Sequence, residues 1–364
     1  RGGDRSSEPQ VCQHFLRGTC SFGEDCRYVH AYSSAPDVEL AAELAGHTDN
    51  VTGVSLVGDQ LYSCSKDGTV KVWDSASGQC TTSVEVGGEV DSMLIESGFL
   101  FAGLHTPQGQ GVIKAWDMSS SAQSDLLGHT GEVYALAAGA NMLFSGGRDT
   151  AVRVWSYDAA SKQFGLSATL QAHTQAVLVL EVAGGMLFSG GADGHVKAWD
   201  LQAGTCVQDL HAHPGSMVMN LVYWQHHLLS CAMDGLVKVW GPGPVGGAGL
   251  ELLQTHPSDA DAGGGSPFGG SLGQGGRGSK GKSMPALVAI CGAADAQNRP
   301  VLLASYTENK VQLLDLPTFA SRGTCFFPPE VEYARSLANG PEGMFFTGDS
   351  SGMVKVWRWV VPSM

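Results

Sequence analysis

Positive charge is scarce in this chain: 21 lysines and arginines face 35 acidic residues, a formal net charge of −14 over 364 residues. The deficit lies wholly beyond residue 32, because residues 1–32 hold four arginines and four acids. Such an acidic surface discourages nonspecific nucleic-acid binding and favours basic or specific protein partners. No apolar run approaches the roughly 20 residues of a membrane-spanning helix, so no membrane partner is expected. No long helical period appears, and no nucleophile stands with a base and an orienting acid, which argues against an enzyme. Cysteine is sparse as well. Six of the nine are scattered after residue 31 with no even framework, which fits a reducing intracellular compartment, the nucleus slightly ahead of the cytoplasm. The length allows one large domain and a small one. Because the chain opens on Arg1 rather than methionine, it reads as a fragment or processed form, with room for targeting signals upstream.

What cysteine there is concentrates at the start. Cys12, Cys20, Cys26 and His30 are spaced C-x7-C-x5-C-x3-H, and three thiolates plus one imidazole complete a tetrahedral shell for one structural Zn2+. A stretch of about twenty residues cannot bury enough apolar surface to fold alone; metal binding of roughly 10–16 kcal/mol would supply the difference. The competing reading is four scattered residues or paired disulfides. The run CQHFLRGTCSFGEDCRYVH resembles the CCCH (Cys3His) zinc-finger family, sharing Gly18 before the second ligand, Phe22-Gly23 after it and Tyr28 after the third. In RNA-binding members, aromatics at the Phe22 and Tyr28 positions stack on unpaired bases, and here Arg17 and Arg27 are placed to meet phosphates or base edges. The resemblance thus implies weak single-stranded RNA binding. Departing from sequence-specific members, Ser-Glu-Pro-Gln replaces the basic-aromatic lead-in, and the finger is neutral, whereas nucleic-acid binders draw on a basic patch. A finger that only braces or recruits protein therefore stays open. His14 reads as a solvated loop histidine.

Residues 38–364 form a repeat array. A tryptophan follows an apolar-basic-apolar run at Trp73, Trp116, Trp155, Trp199, Trp240 and Trp357, with Leu314 in the equivalent place in VQLLD; the intervals are 43, 39, 44, 41, 74 and 43 residues. Short alternating strands between Gly- and Asp-rich turns read as antiparallel sheet. Gly-His or Ala-His opens four units, at His47, His129, His173 and His213. Asp67, Asp149, Asp193 and Asp234 each lie six residues before a tryptophan, and Ser63, Ser145, Ser189 and Ser230 four residues before those aspartates. This array resembles the WD40 family, whose units are the four-stranded blades of a β-propeller. The resemblance implies that these His, Ser, Asp and Trp side chains form a buried hydrogen-bond chain in each blade, structural rather than catalytic.

The expected fold is therefore all-β: a seven-bladed WD40 propeller (38–364) behind one small CCCH finger (12–32), with residues 1–11 disordered. Residues 38–44 should supply the missing outer strand of the last blade, which keeps the finger beside the ring. Blade two, with LHTPQGQG in place of Ser-x3-Asp, and blade six, with His256 where Gly-His would stand, depart from the pattern. The segment 257–285 reads as a flexible Gly-rich loop. Within it, Gly276 to Ser283 satisfies G-x4-G-K-[ST], but no apolar strand precedes it and Pro285 follows, so no nucleotide partner is expected. WD40 proteins often bind partners on the Gly-His face, which points to Asn50, Glu132, Tyr134, Tyr333 and Arg335, with Glu89 and Asp91 equivalent in blade two.

The finger-plus-propeller layout resembles a plant and algal family of zinc-finger WD-repeat proteins. The function this implies is a non-catalytic, zinc-dependent RNA-binding adaptor whose propeller docks protein partners. The alternative is a protein-interaction scaffold with a purely structural finger. A cullin-ligase receptor role lacks its usual arginine, since the corresponding residues are Ala76, Ser119 and Gln202.

Overall fold

A computed structural model describes residues 11–75, 77–171, 173–242, 249–257, 285–341 and 343–360. The phosphate-loop-like run at 276–283, most of the Gly-rich segment and residues 1–10 lie outside the described residues. Among those described, the chain forms seven four-stranded antiparallel sheets, each a meander from an inner to an outer strand. Blade one runs Val51–Val57, Gln60–Ser65, Thr69–Asp74 and Cys80–Glu85. Blades two to six follow over 89–127, 133–171, 177–210, 218–256 and 287–326. Helix is confined to Gln13–Leu16 and a 3-10 turn at Gly23–Asp25 among the described residues.

Blade seven is built from both ends of the chain. Its strands Ala334–Asn339, Met344–Asp349 and Met353–Trp359 are completed by Val38–Ala45, which pairs antiparallel with Met353–Trp359, Val38 opposite Trp359 and Ala45 opposite Met353. One irregularity between Leu40 and Ala42 interrupts this ladder. The cores lie between neighbouring blades. Tyr62 and Cys64 of blade one, for instance, pack with Val90 and Leu104 of blade two.

Four blades carry the complete polar chain. In blade one, His47 Nδ1 meets Asp67 at 2.9 Å, His47 Nε2 meets Ser63 Oγ at 2.8 Å, and Trp73 Nε1–H donates to that hydroxyl at 2.8 Å. His129–Asp149–Ser145–Trp155, His173–Asp193–Ser189–Trp199 and His213–Asp234–Ser230–Trp240 repeat it with every contact between 2.8 and 3.0 Å. Fully paired in a low-dielectric interior, such a chain rigidifies its blade.

The other three blades each depart from it differently. Ala102 of blade two faces Lys114 as Ser63 faces Lys71 in blade one, so a methyl group stands where the hydroxyl would be. In blade six Ala304 and Leu314 take the Ser and Trp places, both fully buried. Losing the serine and the tryptophan together leaves neither side chain of blade six orphaned, which makes the exchange there nearly neutral, whereas blade two keeps Trp116, part-buried and opposite Leu100. Blade seven keeps half: Trp357 Nε1–H donates to Thr347 Oγ1 at 3.1 Å. Blade two's altered turn also brings its backbone against blade three. A Cβ on Gly111 would lie 1.9 Å from the Gly131 carbonyl oxygen, so only glycine fits there.

Burial pushes His47 and His173 below the usual imidazole value of 6.5, against the pull of Asp67 and Asp193. Burial alone would raise Asp67 and Asp193, but their hydrogen bonds outweigh it and hold both below 3.8. Both shifts have one consequence: the unfolded chain binds more protons than the folded one, so stability falls on acidification. The urea midpoint of the ring should decline as pH drops below about 6.5 and decline again below about 3.8. All eight tryptophans lie beyond residue 38, so their fluorescence reads the propeller and not the finger. A midpoint flat from neutral pH to below 5 would show that these histidines are not held neutral.

Candidate metal centre and the finger–propeller junction

The finger is wound around its four expected ligands. Cys12 ends an extended segment and caps Gln13–Leu16, its Sγ accepting from Phe15 N–H at 3.4 Å. Cys26 closes the 3-10 turn Gly23–Asp25, and Cys12 N–H donates to the Val29 carbonyl at 2.9 Å. A parallel bridge joins Val11 to Val29, so ordered finger structure begins at Val11, one residue inside the segment expected to be disordered. The reason is that Val11 is buried with Cys12 and Leu16 in the small apolar base of the knuckle.

One ligand atom from each of Cys12, Cys20, Cys26 and His30 lies within 4.8 Å of all the others. Cys20 and Cys26 sulfurs are 3.8 Å apart, the edge of a tetrahedron with zinc–sulfur bonds of about 2.3 Å and far beyond a disulfide bond of about 2.05 Å. All nine cysteines are free. His30 Nε2 is buried without a hydrogen-bond partner, and its ring stacks on Phe15 at 4.7 Å, which fixes its aim. An orphaned imidazole nitrogen facing three sulfurs is costly unless a metal takes its lone pair. The donor set fits one structural zinc with no open coordination position, and the metal's contribution there is folding energy. Burial opposes ionisation of the Cys12 thiol, yet the Phe15 N–H and the Cys26 and Cys20 sulfurs bring it below its usual 9.0.

Residues 31–37 tie this knuckle to the ring. Ser34 N–H donates to the Thr324 carbonyl at 2.9 Å, Thr324 N–H donates to Ser34 Oγ at 2.9 Å, and Phe326 N–H donates to the Tyr32 carbonyl at 2.8 Å. The linker thus covers part of the outer edge of blade six before Val38 enters blade seven. Ala35 is buried, and a Cβ on Gly323 would come within 2.6 Å of its backbone. Beneath the junction, Arg322 reaches Asp37 at 3.1 Å, Asp295 at 2.8 Å and Asp315 at 3.3 Å, and lies over the Trp359 ring. Arg17 of the finger faces Glu330 of the blade six–seven connection at 3.4 Å.

Known proteins show the same combination. The family pattern for the WD domain, G-beta repeat, matches 38–74, 120–156, 164–200 and 204–241, the four segments that contain complete polar chains. The pattern for the C-x8-C-x5-C-x3-H (and similar) zinc finger matches 7–32, although the first spacing here is one residue shorter. "Zinc finger CCCH domain-containing protein 17" of Oryza sativa subsp. japonica is 38% identical over 99% of this chain and 75% of its own length. "Zinc finger CCCH domain-containing protein 48" of Arabidopsis thaliana is 37% identical over 100% of this chain and 77% of its own. The chain belongs to the plant-type family of CCCH zinc-finger proteins. In fold alone it is similar to the computationally designed protein Ika8, with a TM-score of 0.58 and 21% identity over 88% of this chain and 99% of that one.

Within this CCCH protein the expected RNA contacts and docking residues fare differently. Phe22 is 67% and Tyr28 45% exposed, and Arg27 is exposed. His14 is exposed too, but on the short helix rather than in a loop. Asn50 and Asp91, by contrast, are buried, because the starts of the inner strands turn toward a narrow axial channel. Asn50 donates to the Tyr333 hydroxyl at 3.3 Å, and Lys66 lies 3.3 Å from Asp91 and 3.4 Å from Glu89. Glu132 is paired with Arg148 at 3.0 Å. Tyr134, Arg335 and Asp91 line a channel cavity of about 210 Å³. Burial raises the Asp91 carboxyl, partly offset by Lys66 and Arg335.

The CCCH protein should bind one zinc per chain. Cys26→Ser should lose it and expose 12–30 to proteolysis, while the tryptophan-monitored melt of the ring moves by only a few degrees. Full metal occupancy in the variant would mean that these four residues are not the shell.

Proposed function

We propose that this chain is a non-catalytic adaptor whose zinc-held finger contacts single-stranded RNA weakly and whose propeller docks protein partners. The observation that carries this reading is the pair of aromatic rings, Phe22 and Tyr28, standing out from the knuckle where nothing in the fold requires them. Stacking contributes about 1–3 kcal/mol per base and tolerates any sequence, since every base has a π-face. Arg27 is free to meet phosphate. Arg17 is held by Glu330 only in an exposed ion pair, worth at most about 1 kcal/mol, which a phosphate can displace. Fixing the finger to a partner-binding ring raises its effective concentration at a tethered RNA. The family names carry zinc-finger and WD-repeat identities, in keeping with a binding rather than a catalytic role. Nine cysteines with no disulfide among them fit a reducing compartment, which we take as intracellular and nuclear before cytoplasmic.

A scaffold with a purely structural finger is the second reading. It draws support from the neutral finger and from the Arg17–Glu330 contact. RNA titration of the zinc-loaded full chain separates the two. Phe22→Ala and Tyr28→Ala should each weaken binding by about 5-fold to 150-fold, with zinc content unchanged. Unchanged affinity in both variants removes the stacking contact and leaves the scaffold.

A further inference from the structure

On the face opposite the Gly-His loops, blade three carries an extension that ring closure does not need. In blade one the outer pairing stops at Trp73 opposite Cys80. Blade three runs on past Trp155 through Ser156 opposite Gly165, Tyr157 opposite Phe164 and Asp158 opposite Gln163. The added pair builds an aromatic wall with blade two: Tyr157 and Phe164 are 4.9 Å apart, Phe99 lies 5.3 Å from Tyr157 and 5.2 Å from Phe164, and Phe101 lies 5.3 Å from Phe164.

A clasp between blades would bury these rings, yet Tyr157 stays 39% exposed. Between the wall and the hairpin around Ala140–Asn141 remains a groove of about 550 Å³, within the range of about 300–1,000 Å³ for ligand pockets. Its charge is one-sided. Glu96 lines it, and no lysine or arginine does among the described residues. Asp117 stands opposite Phe99 in the ladder, and Asp158 follows Tyr157. Asp117 accepts from Ser119 and Ser120, and Asp158 from Ala160 N–H and Ser161, which keeps both carboxylates ionised. Lys162 is the one base on these turns.

We propose that this groove docks a partner-protein segment in which an aromatic or aliphatic anchor adjoins a lysine or arginine. The anchor fills the apolar space against the rings, as buried anchors do at protein interfaces. The adjoining cation meets Glu96 and the face of Tyr157, where a cation–π contact adds to the ion pair. This deepens the docking half of the proposed function and is independent of the RNA half.

Two fragments that share a phenylethyl group but carry opposite charge test it: phenethylammonium and 3-phenylpropionate, titrated into the zinc-loaded full chain by ligand-observed NMR. The cation should bind, at least about fivefold more tightly than the anion. Tyr157→Ser should abolish binding of both, and Glu96→Gln should bring the two affinities within about twofold, with tryptophan-monitored melts confirming that each variant is folded. No binding of the cation, equal affinities, a preference for the carboxylate, or binding unmoved by both substitutions would overturn the proposal. RNA affinity is read separately, so failure here leaves the finger's role standing.

Discussion

Antiparallel pairing between Val38–Ala45 and Met353–Trp359 is the constraint on which the rest of the molecule depends. It closes the ring by giving blade seven its outer strand, and closure leaves only short, separated blade edges. The same pairing decides where the finger sits. A chain that enters the outer strand of blade seven from Ala35 has no choice but to pass the rim of blade six, and Tyr32 and Ser34 take up hydrogen bonds there. Zinc orders the knuckle, whereas strand pairing orders its placement.

Around that constraint the blades differ in chemistry without differing in shape. Four hold a polar chain from histidine to tryptophan, blade six replaces its serine and tryptophan with alanine and leucine, and blade two replaces only the serine, with alanine. Blade seven keeps a threonine–tryptophan contact. Full pairing rigidifies the four complete blades, while blade seven leaves Asp349 Oδ2 buried without a partner. A rigid ring of this kind supplies fixed surfaces on both faces, so a weakly binding finger and a docking groove can act on one assembly by proximity.

Most of the fold was legible because its signals are local and periodic. Trp73, Trp155 and their counterparts, with Asp six residues before and Gly-His further upstream, announce the blades, and four ligands in twenty residues announce the metal site. Blade seven's remnant was harder to see, since Thr347 replaces serine and Asp349 sits eight residues before Trp357 and not six. The burial of Asn50 and Asp91 was hidden for another reason. Exposure at the channel mouth is set by how seven inner strands converge, which no single repeat encodes. Arg322, Glu330 and the Ser34–Thr324 contacts carry no motif at all; they follow from which rim the linker crosses.

The most direct test of the account is amide hydrogen exchange at Ser34 and Phe326 in the zinc-loaded chain, the two N–H groups that join the linker and blade six backbone to backbone. If the finger is held against the ring, both exchange as slowly as amides inside the central Lys310–Asp315 strand of that blade. Exchange at the rate of an open chain, while the ring stays folded, would mean that the finger hangs free and that its placement plays no part in what the protein does.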